Sequence, residues 1–263
     1  MVNARDAAAE PQRVLLKLSG ELLGGERGVG LDPGGLALIA GQIADAHATG
    51  AQVAVVLGGG NLLRGADARR SGWARTDADA IGMLGTLVNA LAVAHTLVGR
   101  GIPARVLSAF DVPRFADLYR PDRGRAALAA GEVLLCAGGT GNPYFSTDTA
   151  AALRALELDC TLLIKGTKVD GVYAEDPRKN AASERFRHVS YRTVLERRLG
   201  VMDLTAVTLC LENGLPVVVL NATEAGSIGR LLAGETVGTR IDAYETSSRE
   251  VHEADVRRSE SRE

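Results

Sequence analysis

Two lysines stand where an apolar chain leaves them little water. Lys17 interrupts the run Arg13-Val14-Leu15-Leu16-Lys17-Leu18-Ser19, and Lys165 directly follows Thr161-Leu162-Leu163-Ile164. An unpaired ammonium in a buried strand is costly, so each should point to a ligand or a carboxylate at the end of a sheet, unless its stem snorkels to the surface. Two such cations could neutralise the oxygens of a phosphoryl group in transfer, which is the electrostatic task that phosphoryl transfer mainly requires. Asp148 and Asp203 are the acids to pair with them. Each also stands where a helix begins, and on local grounds capping is as good a reading as catalysis.

The loops beside these residues share a character. Gly138-Gly139-Thr140-Gly141-Asn142-Pro143-Tyr144-Phe145-Ser146-Thr147-Asp148 offers glycines for close backbone approach, three hydroxyls at Thr140, Ser146 and Thr147, and a following helix start. Ser19-Gly20-Glu21, Gly58-Gly59-Gly60-Asn61-Leu62-Leu63-Arg64-Gly65 and Lys165-Gly166-Thr167-Lys168 likewise follow apolar runs. One such loop reads equally well as a tight turn; four of them supply the backbone donors, hydroxyls and cations that polyphosphate binding needs. No GxGxxG and no GxxxxGK[ST] occurs, so the phosphate machinery is neither a standard dinucleotide fold nor a P-loop. GxSxG is absent, and His47, His95, His188 and His252 lack metal-ligand spacing, so triad hydrolase and zinc chemistry have no support.

Elements must present these loops on one edge. Apolar runs at 13–19, 52–57, 104–107, 132–137, 161–164 and 216–220 read as strands, the first two buried on both faces. Helical patterns at 36–48, 83–97, 149–156, 191–199, 204–213 and 228–233 alternate with them, and 168–173 carries a hairpin signal. Such alternation predicts an α/β fold with a mainly parallel sheet covered by helices on both faces, whose ligands bind beyond the carboxyl ends of the strands. The 263 residues, 46% hydrophobic with net charge −2, allow a large core and lack the basic stripe of a nucleic-acid binder. Three cysteines, Cys136, Cys160 and Cys210, lie in apolar runs as reduced thiols would. No signal-peptide core and no run of about 18 uninterrupted apolar residues occurs, so a cytoplasmic protein with no membrane partner is expected. Residues 1–12 read as a disordered lead-in and 243–263 as a charged tail, leaving 13–242 as the domain.

With these motifs in order the chain resembles the amino-acid kinase superfamily and, within it, the bacterial uridylate kinases. The likeness runs from residue 13 to 241 and includes Lys17-Leu18-Ser19-Gly20-Glu21, the 58–65 loop, Asp79 ahead of Gly82-Met83-Leu84-Gly85-Thr86, the 140–148 loop, Lys165-Gly166-Thr167-Lys168-Val169-Asp170-Gly171-Val172-Tyr173 with Asp176-Pro177, and Val201-Met202-Asp203-Leu204-Thr205-Ala206. The resemblance implies a three-layer αβα sandwich, with the phosphoryl acceptor in the N-terminal part and ATP in the C-terminal part. It implies transfer of the ATP γ-phosphoryl group to UMP, a step of pyrimidine biosynthesis; another phosphate, phosphonate or carboxylate acceptor, or a non-catalytic storage or sensing role, are the alternatives. By the same likeness Gly59, Arg64, Asp79, Thr140, Gly141, Asn142, Pro143, Tyr144, Phe145, Ser146 and Thr147 bind UMP. Lys17, Ser19, Gly20, Gly60, Arg64, Thr167, Tyr173 and Asp176 contact ATP, and Lys17, Lys165, Asp148 and Asp203 form the catalytic group. Magnesium accompanying ATP and a homo-hexamer are implied as well. Two positions depart from the family pattern: Ala80 replaces a larger residue, and Glu132 stands near Arg105 where a second basic effector-site residue is expected.

Overall fold

A computed structural model describes residues 12–63, 72–175 and 183–243. Arg64 and Asp176, assigned above to ligand contacts, lie outside the described residues, as do 1–11 of the expected lead-in and 244–263 of the expected tail.

Alternation of buried side chains decides how the central strands sit. In β1 (Arg13–Leu18) Val14, Leu16 and Leu18 enter one core and Leu15 enters the other; in β2 (Gln52–Leu57) Val53, Val55 and Leu57 join the first core, Ala54 and Val56 the second. A strand buried on both faces needs helices on both faces. One layer is α1 (Pro33–Ala48), α2 (Arg75–Val98) and α7 (Ser227–Leu232), which bring Ile39, Ile43, Leu87, Val93, Leu97 and Ile228 to the first core. Opposite lie α3 (Pro121–Ala129), α4 (Thr147–Glu157), α5 (Tyr191–Glu196) and α6 (Leu204–Glu212), which bring Leu128, Ala151, Ala155, Tyr191 and Val207 to the second.

The remaining strands are β3 (Ala104–Ser108), β4 (Asp117–Leu118), β5 (Val133–Ala137), β6 (Leu162–Thr167), β7 (His188–Ser190), β8 (Val217–Asn221) and β9 (Thr239–Asp242). Their order in the nine-stranded sheet is β4-β3-β5-β2-β1-β6-β8-β9-β7. Every pairing is parallel except β8 with β9. The expected αβα sandwich with a mainly parallel sheet is therefore the observed fold.

Four readings need correction, the first being the start of α2, which begins at Arg75 rather than residue 83. The hairpin expected at 168–173 does not form: β6 has β1 on one edge and β8 on the other, so no edge is free, and Tyr173 instead bridges Arg185. Helix α1 begins at Pro33 rather than residue 36, because the Asp32 side chain accepts from Gly35 N at 2.9 Å and proline suits the first helical position. Strands β4, β7 and β9 and helix α3 went unseen: the strands are short and form by pairing, and α3 opens on Pro121 and packs on the core. A Cβ on Gly124 of α3, for example, would lie 2.6 Å from Leu158 Cδ2, so the helix rests directly on the core.

Helix α2 is the longest element. By length and mean hydropathy (1.7) it could cross a membrane, yet it packs on the sheet through Leu87, Ala90, Val93 and Leu97 and buries Thr86 and Asn89 among them.

Candidate active site

Parallel register brings the two lysines together. In the β1–β6 pair Lys17 is the partner of Lys165, and both share a sheet face with Leu15 and Leu163, the face covered by α4. Like charges directly opposite are unfavourable on a sheet, so an anion must lie between them. Asp148, in the first turn of α4, is that anion: its Oδ1 lies 2.8 Å from Lys17 Nζ, and its Oδ2 accepts from Lys165 Nζ at 2.7 Å. Lys165 also donates to the Val201 carbonyl at 2.5 Å. Burial alone would push the Asp148 carboxyl up, but Lys17 and Lys165 outweigh it and hold it below the ordinary carboxylate value. Burial lowers the Lys165 ammonium, against the attraction of Asp148. Two cations against one carboxylate leave a positive centre at the carboxyl end of the central strands, with an N-terminal helix dipole behind it.

Asp203 is placed differently from Asp148. It is the N-cap of α6, accepting from Ala206 N at 3.1 Å, while Thr149 Oγ1 donates to its Oδ1 at 2.9 Å and the Ser146 hydroxyl donates to its Oδ2. Ser146 in turn caps α4, accepting from Asp148 N and Thr149 N. The fourth predicted catalytic residue thus reaches the lysine cluster through the start of α4.

Two clefts open beside the cluster. The first, about 690 Å³, is lined by Gly59, Gly60, Asp79, Thr140, Asn142, Tyr144, Phe145, Ser146 and Thr147, joining most residues expected at the acceptor with Gly60, which was expected at ATP. Gly141 shapes this loop from within, its N–H donating to Gly138 O at 3.0 Å; neither it nor Pro143 lines the cleft. Tyr144 has φ 73, an uncommon conformation for a side-chain-bearing residue, and is held there by Asp79 Oδ2, which accepts from its N–H at 2.7 Å. The second cleft, about 530 Å³, is lined by Lys165, Thr167 and Tyr173, together with the 197–201 segment and Val219, which the sequence reading missed. Ser19 and Gly20 belong to neither wall. A Cβ on Gly20 would fall 2.2 Å from Gly58 O, so glycine there lets the loops after β1 and β2 touch.

The loop after β2 is held by two residues, one of which the sequence reading overlooked. Asn89 of α2 donates to Gly58 O at 2.7 Å and to Asn61 Oδ1 at 2.7 Å, and Asn61 donates back at 3.0 Å, all of it buried. Buried amides matched in this way fix a loop more firmly than glycines alone would. At the sheet edge, Arg105 is taken up by Glu132 in a two-pronged ion pair, 2.5 and 2.9 Å. Among the described residues no group of three or more His, Cys, Asp or Glu forms a metal cage.

Comparison with known proteins agrees with this geometry. The chain is similar to the uridylate kinase of Bacteroides thetaiotaomicron, 42% identical over 233 residues that cover 89% of this chain and 99% of that one. Its structure is similar to UMP kinase from Bacillus anthracis (TM-score 0.87, 34% identity, 89% of this chain and 98% of that one). It is also similar to UMP kinase from Ureaplasma parvum (TM-score 0.84, 32% identity, 88% and 99%). The sequence profile of the amino acid kinase family matches residues 12–221, from β1 through β8, and the chain belongs to that family.

Proposed function

We propose that the protein is an ATP-dependent UMP kinase, converting UMP and ATP to UDP and ADP. The observation that carries this reading is the cross-strand pair Lys17–Lys165 closed by Asp148, set between a cleft lined by the 140–147 loop and a cleft lined by Thr167 and Tyr173. Support for the acceptor comes from the relatives named uridylate or UMP kinase.

In this reading UMP occupies the first cleft, with Asp79 toward its ribose, Arg64 toward its phosphate, and Gly59 and residues 140–147 around it. ATP occupies the second, with Thr167, Tyr173 and Asp176 around the nucleotide and Lys17, Ser19, Gly20, Gly60 and Arg64 toward its phosphates. The acceptor phosphate is a nucleophile at neutral pH, so no side chain need remove a proton; the chain supplies positioning and charge. Lys17 and Lys165 stabilise the group in transfer, and Asp148 keeps both ammonium groups aligned. Magnesium, bound with ATP, would neutralise phosphate charge, and with no carboxylate cage among the described residues it would be held mainly by the nucleotide. The reading extends to a cytoplasmic homo-oligomer, a hexamer by the family likeness. An oligomer is supported by the exposed residues Ile81, Leu84, Val88 and Val98 along one side of α2.

A coupled ADP-release assay with ATP, magnesium and a panel of nucleoside monophosphates tests the proposal. UMP should be turned over far faster than the others. Turnover of a different acceptor with none of UMP would overturn it, and no turnover at all would favour a binding protein. Arg64→Ala should chiefly raise KM for UMP.

A further inference from the structure

Arg154 is a buried cation that the phosphoryl centre does not use. It lies in α4, is 6% exposed, and splits its guanidinium three ways. Nη1 donates to Glu157 Oε2 at 2.6 Å, Nη2 donates to the Gly139 carbonyl at 3.2 Å, and the guanidinium carbon lies 4.0 Å from the centroid of the Tyr119 ring.

Gly139 belongs to the loop between β5 and α4, and that loop has little conformational preference of its own. Gly138, Gly139 and Gly141 have φ of 80°, 60° and 81°, in the region where glycine is freest and other residues are rare. Its internal hydrogen bonds are short-range: Gly141 N to Gly138 O, and Asn142 N to Thr140 Oγ1. At its start, two side chains from elsewhere grip it. Thr86 Oγ1 accepts from Gly138 N at 2.8 Å, and Arg154 takes the next carbonyl. Glu157 and the Tyr119 face hold the guanidinium so that its second arm points at the loop, a division a single ammonium cannot reproduce.

We infer that Arg154 is a positioning residue for the acceptor side: by fixing Gly139 it sets the conformation in which Thr140 and Asn142 line the UMP cleft. The inference rests on the UMP-kinase reading of that cleft. A loop that samples other conformations binds its ligand more weakly by the fraction of time it is competent, so the cost should fall on the acceptor and spare ATP. An arginine that only stabilised the core would lower the melting temperature and leave both KM values unchanged.

The test compares the full-length wild type with Arg154→Met, which loses all donors, and Arg154→Lys, which keeps the charge for Glu157 but loses the fork. Arg154→Met should raise KM for UMP about tenfold, the scale of losing a hydrogen bond to a charged group, with KM for ATP within about twofold and kcat at saturation retained. Arg154→Lys should raise KM for UMP by about threefold, and amides 139–142 should exchange hydrogen faster in both variants. An equal rise in both KM values, or a fall in kcat with KM for UMP unchanged, overturns the inference. Should Arg154→Met not fold, the Lys variant decides. Should the wild type not turn over UMP, the functional reading fails separately; unchanged exchange at 139–142 in Arg154→Lys would then overturn the positioning role, and faster exchange would uphold it.

Discussion

Asp148 meets two ammonium groups in a place that is mostly dry, its side chain 13% exposed and those of Lys17 and Lys165 13% and 14%. Removing one partner of a buried charge cluster is costlier than never having built it, because the others remain desolvated and unpaired. Asp148→Asn, which leaves two facing ammonium groups, should cost about 3–5 kcal/mol of stability, read by chemical denaturation. The pH dependence has a definite sign. The folded carboxyl is held below its ordinary value by the lysines, so its contribution is complete above the unfolded value of about 4 and drains as pH falls through the folded one. Wild-type stability should therefore decline more steeply with acid than that of Asp148→Asn, by about 1.4 kcal/mol for each unit of depression. Parallel curves would remove Asp148 as the group responsible. Lys17→Ala leaves Asp148 paired with Lys165 and, on the proposed mechanism, should chiefly lower kcat, since there the missing charge would be needed most as the phosphoryl group moves. A change confined to KM for ATP would argue against that role.

At the scale of elements the site depends on how two helices begin. Asp203 caps α6 and also takes the hydroxyls of Ser146 and Thr149 at the start of α4, so one carboxylate both caps its own helix and braces the helix that carries Asp148. Asp203→Ala should lose about 1–2 kcal/mol of stability with a fall in kcat. Asp203→Ser can still cap α6, yet it is too short to brace α4; it should recover the melting temperature without recovering turnover. Full recovery of both would reduce Asp203 to a cap. What the sequence revealed follows the same physics. Strands buried on both faces are continuous apolar runs, so β2 was legible to the residue, and Lys17 stood out by breaking such a run. Lys165 and Asp148 were legible for the related reason that each follows an apolar run or opens a helix. Thr86, Asn89 and Arg154 were not, because a polar residue in a helix looks solvated until the distant loop it holds is seen beside it. Helix α3 carries a local start signal in Pro121 and Asp122, whereas strand β9 owes its form to pairing with β8 and β7.

For the whole molecule the unspent feature is the outer side of α2. Ile81, Leu84, Val88 and Val98 are 40%, 50%, 46% and 57% exposed and fall at spacings of three, four and ten residues, close to a single helical stripe. Apolar surface of this kind costs free energy in water, and a second copy of the same helix would offer it a matching partner. The same helix presents Asp79, Met83 and Thr86 to the cleft proposed for the acceptor and Asn89 to the loop after β2, so subunit contact on the stripe would steady that cleft's wall from outside. Leu84→Asp with Val88→Asp should shift the protein to smaller species in sedimentation and raise KM for UMP more than KM for ATP. The exposed positions of both residues predict little loss of fold, measured by circular dichroism. A wild type that sediments as a monomer at micromolar concentration would end the oligomer reading. A variant that dissociates with both KM values unchanged would retain the interface and detach it from the acceptor site.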